Sequence, residues 1–425
     1  VAGRYSDLLG GALVTTSAYN ANYPPANLCD GRGGRPFAFA TPPTANVYIS
    51  ADLDRADSAG IRDGGFEAAT LAAGGWTATQ NGASNLASID ATKHNSGSQS
   101  AKLHVPTAGV GAYAQVTKVF ANVPSSSRQV VSVAQLGDGT VYSRARLFCP
   151  DTNQYLKSDG TWNAAGAAAA DFATAKTTPA WTVTTLPFTM PSFLASGRPL
   201  LSLWLIAIAT EPTNTGDAWV DDFRVWPSAD FLAFHGHNLG PVTVGWYGSA
   251  TGAFVGEQTT VNAAITAYEN HFYDREVTPC DLRYQRIIFT GTNDAAIQIG
   301  SMTLSKAYTL AQKTDAPGYQ TDRALTQTRA GNAGLVVIPQ EQVARRRLTM
   351  PVKWHAQADR IEFLMEVVER SEYGRWPLWV VPLSTETDVL FGRIAAVLSD
   401  QRTYLPIWKA AQAVVVDEES YPIWI

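Results

Sequence analysis

The sequence predicts a mainly β protein: two antiparallel β-sandwiches, one inserted in the other, followed by an α+β domain with one clear helix. Three observations point there. The chain holds 34 Gly and 23 Pro with only 16% charged residues, a composition suited to many short strands joined by tight turns. Between 63 and 227, short alternating segments recur, separated by turn sequences such as Gly137-Asp-Gly139 and Ser158-Asp-Gly160. The flanking segments 1–57 and 228–310 are each too poor in strands to close a sandwich alone, but together they supply about 140 residues, a sensible sandwich.

In chain order, residues 46–53 alternate at period two, as a half-buried strand does. Strands are then expected at 98–105, 112–120, 129–135, 141–148, 181–190, 200–208 and 218–225. The Ala-rich run 164–175 reads as a loop with one turn, because Gly166 and the Thr-Thr-Pro that follows limit a helix. Strands resume at 231–237, 242–247, 272–274, 285–290 and 296–304. From 311 the pattern changes. Strands are expected at 335–339 and 347–354, then a helix over 359–370, where Ile361, Leu364, Met365 and Val368 fall at i, i+3, i+4 and i+7. Strands return at 379–383, 391–398 and 410–417. The expected domains are therefore 1–57 with 228–310, an insert at 58–227, and 311–425. A sandwich loop accepts an insert of this kind because domain termini often lie close together at the surface.

Several function classes are disfavoured. A net charge of −5 without a basic stripe leaves no electrostatic footprint for nucleic acid. The longest apolar run, near 200–209, is about half the roughly 20 residues of a membrane helix, so no membrane insertion is expected. Cys29, Cys149 and Cys280 lack zinc-ligand spacing and suggest reduced thiols and assembly in a cytoplasm. No nucleophile-elbow, zincin or phosphate-loop spacing occurs. Asp221 and Asp222 are adjacent on an expected strand, so they should point to opposite faces and not form a glycosidase pair. His235 and His237 share one strand face and could start a metal site; with no further Cys or His nearby, they read as hydrogen-bonded structural residues.

Three resemblances add to this reading. Tyr23-Pro-Pro-Ala-Asn-Leu-Cys-Asp-Gly31, the strand ending at Leu53, Phe231–Gly240 and the pair near Arg283 and Ile297 resemble discoidin domains. Gly65-Phe-Glu67 with Trp76, His94–Leu103, Ala112-Tyr-Ala-Gln115 and Trp219-Val-Asp-Asp-Phe-Arg-Val225 resemble family 4/9 carbohydrate-binding modules, in the right order across the insert. Such modules are jelly rolls, and many hold a structural calcium where the first loop meets the last strand. Carried onto this chain, that implies Glu67 and Asp221 as calcium ligands, the alternative being that they tie the termini together through hydrogen bonds alone. Residues 346–354, the expected helix, Trp376–Leu383 and Phe391-Gly-Arg-Ile394 look like parts of the tail proteins of long-tailed bacteriophages.

Sugar binding needs aromatic faces and hydroxyl-directed polar groups. The insert offers Trp76, Tyr113, Tyr142, Tyr155, Trp162 and Trp181, with Gln80, Gln115 and Asn153. The residues singled out as carbohydrate-binding are Tyr113, Gln115, Trp76, Tyr155 and Trp162. The expected function is that of a non-enzymatic structural protein of a phage tail tip or baseplate, whose outward module attaches to host-surface polysaccharide. Its expected partners are other phage tail proteins, as a homo-oligomer in a symmetric assembly in the virion tail, built in the host cytoplasm. The alternatives are a decoration protein without ligand and a polysaccharide depolymerase.

Overall fold

A computed structural model describes residues 2–3, 13–28, 36–42, 46–53, 65–80, 86–105, 111–120, 128–164, 171–175, 180–191, 201–208, 215–240, 242–254, 259–266, 271–291, 295–305, 307, 320–324, 345–354, 378–380, 390–402 and 410–418. The first strands are β1 (Ala2–Gly3), β2 (Leu13–Thr16), β3 (Phe37–Ala38) and β4 (Val47–Asp52). The middle of the chain forms β5 (Thr77–Gln80), β6 (Leu86–Asp90), β7 (Ser100–Val105), β8 (Tyr113–Phe120), β9 (Arg128–Gly137) and β10 (Tyr142–Cys149). It continues with β11 (Gln154–Leu156), β12 (Trp162–Ala164), β13 (Ala173–Ala175), β14 (Thr182–Thr189), β15 (Leu201–Ile208) and β16 (Gly216–Pro227). Beyond it lie β17 (Ala229–His237), β18 (Thr243–Ser249), β19 (Thr259–Thr266), β20 (His271–Cys280), β21 (Tyr284–Thr290) and β22 (Gln298–Ser305). The last are β23 (Gln320–Ala324), β24 (Arg345–Trp354), β25 (Leu378–Val380), β26 (Leu390–Arg402) and β27 (Ala410–Glu418).

The protein is mainly β, with antiparallel sheets. Among the described residues the only helical element is a 3-10 turn at Pro25–Leu28. The helix expected over 359–370 is thus not among the elements seen. It and the strand expected at 335–339 lie outside the described residues. No helix among those residues is long and apolar enough to cross a membrane.

The chain divides into two compact units, Val1–Asp52 with Ala229–Ile425, and Leu53–Ser228. In the first, one sheet runs β19-β18-β21-β4-β2 and another β20-β17-β22-β3, so both mix strands from the two sides of 53–228. Ile49 lies opposite Ile287, and both are fully buried. Phe289 of β21 meets Phe39 at 6.0 Å and Phe234 of β17 at 5.6 Å, joining the two sheets through their inner faces. A third sheet, β1-β25-β26-β27-β24-β23, belongs to the same unit. Trp379 and Phe391 from it cluster with Phe231 and Ala233 of β17, and the Trp379 indole N–H donates to Thr303 Oγ1 at 3.0 Å. Packing is therefore continuous across the boundary read at 310/311. His235 is buried in that cluster, 4.1 Å from the Phe391 ring, while His237 Nδ1 accepts the Leu239 N–H.

The second unit is a two-sheet sandwich. One sheet runs β12-β11-β10-β15-β8-β5, with β13 also on β10; the other runs β14-β9-β16-β7-β6. Strict alternation in β10 sends Ser143, Ala145, Leu147 and Cys149 inward, where the last three join Val116, Leu203 and Val220 in one core. The β11–β12 turn depends on Gly160, whose φ is +79° and whose Cβ would sit 2.6 Å from the Pro187 carbonyl oxygen. Gly160→Ala is expected to cost about 2 kcal/mol of stability, from left-handed strain and this backbone clash, measurable by urea denaturation.

Candidate functional site

The seven-stranded sheet of the second unit has an outer face that registry arranges in rows. Tyr113, Ile208 and Tyr142 lie side by side; next come Gln115, Ile206 and Arg144; then Thr117, Trp204 and Arg146; last Val119, Ser202, Phe148 and Tyr155. These residues share a face because alternate residues of a strand do, and their neighbours Ala114, Val116, Leu203, Leu205, Ala145 and Leu147 fill the core. Strands about 4.8 Å apart make the face roughly 15 Å wide from β8 to β11, enough for a short oligosaccharide.

Three rings gather at one end of it. Phe148 and Tyr155 are 4.6 Å apart, and Trp204 lies 5.8 Å from Phe148 and 5.9 Å from Tyr155. All three are only partly buried, and Val119 in the same row is 62% exposed. The Trp204 indole N–H is fixed by Ser202 Oγ at 2.8 Å, which holds the ring's orientation. Beside the rings, Asp171 receives Arg146 Nε at 2.5 Å and Arg144 Nη1 at 3.3 Å. Partly exposed rings, an amide and guanidinium groups on one surface are the chemistry that stacks on sugar rings and hydrogen-bonds their hydroxyls.

Of the residues singled out from sequence, Tyr113, Gln115 and Tyr155 are brought to this face. Trp76 is not: it is 3% exposed and stacked on Phe66 at 4.6 Å, a core residue at the mouth of the first loop. Trp162 is not on it either. It lies opposite core-facing Leu156, packs edge-on to Phe188, and donates to the Thr189 carbonyl at 2.7 Å. Trp204, Phe148, Arg144, Arg146 and Asp171 were missed. Period two in Tyr142-Ser-Arg-Ala-Arg-Leu-Phe148 already aligns four of the face's residues, counting Tyr142. Trp204 was hidden inside the most apolar strand.

The carboxylates gather elsewhere, around the loop 94–99. Glu67 accepts Ser98 N–H at 2.8 Å and Ser98 Oγ–H at 2.6 Å. Asp221 Oδ2 accepts Asn95 N–H at 2.7 Å and Ser96 N–H at 3.1 Å. Asp222 accepts Asn95 Nδ2 at 2.7 Å, Ser96 Oγ at 2.6 Å and Arg224 at 2.8 Å. The expectation that 221 and 222 face apart is overturned. A register shift between Asp221 and Arg224, with Asp222 at φ +49°, turns both carboxylates to one loop. They still make no glycosidase pair, because Asp221 is fully buried, Asp222 is 8% exposed, and both are engaged by that loop.

As arranged, the three carboxylates tie this loop through hydrogen bonds. Each oxygen of the three carboxylates meets an N–H or O–H donor. Among the described residues no three Asp, Glu, His or Cys side chains are placed to hold a metal.

Burial, then the neighbouring Asp222 charge, pushes Asp221 up to about 6. Asp222 is held low, because hydrogen bonds from Ser96, Asn95 and Arg224 outweigh its burial. Glu67 is held low by Ser98. A carboxyl whose folded pKa exceeds its unfolded value binds its proton more tightly when folded, so its contribution to stability grows as pH falls. Relative to Asp221→Asn, metal-free wild type should therefore gain about 2 kcal/mol of unfolding free energy from pH about 7.5 to about 4.5. Denaturation of both proteins across that range checks this; a flat difference would refute it.

No family model matches the chain, and no curated protein matches it. Solved structures that do match include a family 16 carbohydrate-binding module, at 16% identity and TM-score 0.26, covering 39% of this chain and 97% of that one. The C-terminal family 22 carbohydrate-binding module of Clostridium thermocellum Xyn10B matches at 14% identity and TM-score 0.26, over 40% and 96%. The enzymatically active domain of bacteriophage CBA120 tailspike protein 4 matches at 15% identity and TM-score 0.26; 36% of this chain is covered, but only 19% of the tailspike chain. At these scores the functional reading has to stand on the site itself.

Proposed function

We propose that the 53–228 sandwich binds polysaccharide across the outer face of its seven-stranded sheet. The observation that carries this is the partly exposed Phe148–Tyr155–Trp204 cluster beside Gln115 and two arginines. Trp76, by contrast, is 3% exposed and stacked in the core. Binding at one face is weak, and many copies multiply it through effective concentration.

We further propose that the chain is a non-enzymatic component of a phage tail tip, presenting this face to host-surface glycan. What supports the tail assignment is the sequence resemblance of 346–354, 376–383 and 391–394 to parts of tail proteins, together with sheets that combine strands from both sides of 53–228. The test is a glycan array probed with the full chain in multivalent form, beside Trp204→Ala. Binding by wild type alone supports the reading. No binding to any host polysaccharide, with the two proteins alike, removes it.

A further inference from the structure

The charges on the candidate face are unbalanced. In its four rows they are Arg144 and Arg146, two guanidinium groups that share the Asp171 carboxylate beside them. The side chains are 26%, 26% and 14% exposed, so the group stands at the surface and is not sealed in the core. The excess positive charge contrasts with a chain that is −5 as a whole. Arg146 is the better matched of the pair, at 2.5 Å; Arg144 reaches Asp171 only at 3.3 Å and is the more loosely held of the two. A second carboxylate at the exposed end of this pair would complete its charge pairing.

Position matters as much as charge. Arg146 is the registry neighbour of Trp204, and Arg144 of Ile206, beyond which lies Gln115. A guanidinium row thus runs alongside the aromatic cluster. Neutral sugar hydroxyls are served by amides and by Asp171. A planar, permanently charged fork is matched by a carboxylate.

We propose, resting on the glycan-binding reading of this face, that the ligand is an acidic polysaccharide. A uronate-type carboxylate docks on the Arg144–Arg146 pair while a neighbouring sugar ring stacks on the Trp204 cluster. The full chain is to be titrated with polygalacturonate and alginate, each beside its carboxyl-reduced neutral form. Expected is tighter binding of an acidic form, weakened about 10- to 100-fold by Arg144→Gln with Arg146→Gln, and weakened by raising salt from about 50 to about 500 mM. Arg146→Lys, which keeps the charge and loses the fork, should fall between. Melting temperatures of the variants separate lost binding from lost folding.

Equal binding of acidic and reduced forms, with the arginine variants unchanged, overturns the acidic-ligand proposal and leaves glycan binding standing. No binding of any of these polymers overturns the acidic-ligand proposal; if the wild-type chain is also silent on the glycan array, the glycan reading falls with it.

Discussion

Trp204→Ala is expected to weaken glycan binding by about 30-fold or more while leaving the fold intact. The ring is the largest of the partly exposed cluster and lies within 6 Å of both Phe148 and Tyr155, at 5.8 and 5.9 Å. Truncating a central aromatic at a binding surface typically costs 2 kcal/mol or more, which converts to that fold-change. Stability should suffer much less than for a core tryptophan. Trp204 keeps solvent on one side, while its strand neighbours Leu203 and Leu205 carry the core contacts. Isothermal titration with the best array hit, alongside a thermal melt, separates the two effects. A variant that binds as well as wild type would move the site off this face. Tyr113→Ala, at the far corner, should have a smaller effect, because it lies outside the ring cluster.

Asp222→Ala should destabilise the 53–228 unit by about 3–5 kcal/mol. Three donors, from Asn95, Ser96 and Arg224, would lose a nearly buried acceptor. Each orphaned group costs about 1–3 kcal/mol, less where water reaches it. Alanine would also have to hold φ near +49°, a conformation Asp and Asn tolerate better. Asp222→Asn keeps that tolerance and one oxygen acceptor, so it should lose roughly half as much. Urea unfolding of the full chain, followed by hydrogen exchange in loop 94–99, reads both. A loss below about 1 kcal/mol for Asp222→Ala would mean that the bulge carboxylate does not hold this loop.

The legible part of the site was its periodicity. Tyr113 and Gln115 stand two apart in Ala112–Phe120, and the structure puts them on the same face as Tyr155. The same reasoning was available for Tyr142, Arg144, Arg146 and Phe148, which recur at every second position. Trp76 and Trp162 show the opposite case. Each lies near a turn or a strand end, where sequence cannot tell a ring that folds inward from one that faces water. Phe66, at φ +56°, brings the first loop over the core, and Trp76 stacks against it. Trp162 is decided by strand pairing, since lying opposite Leu156 commits it to the inner side.

The sequence by itself determined the class: short alternating strands, turn residues between them, and flanking segments that make up one sandwich only together. Local chemistry is enough for that, because period two and turn propensity act over a few residues. Tertiary structure alone decided which strands lie side by side, and so which side chains meet. Ile49 finds Ile287, and Asp221 finds Asn95, across spans of chain that no local pattern measures. It also decided the bulge that turned Asp221 and Asp222 to one loop, where regular alternation would have separated them. The face that gathers Trp204, Tyr155 and the arginines exists only because β8, β15, β10 and β11 pair in that order.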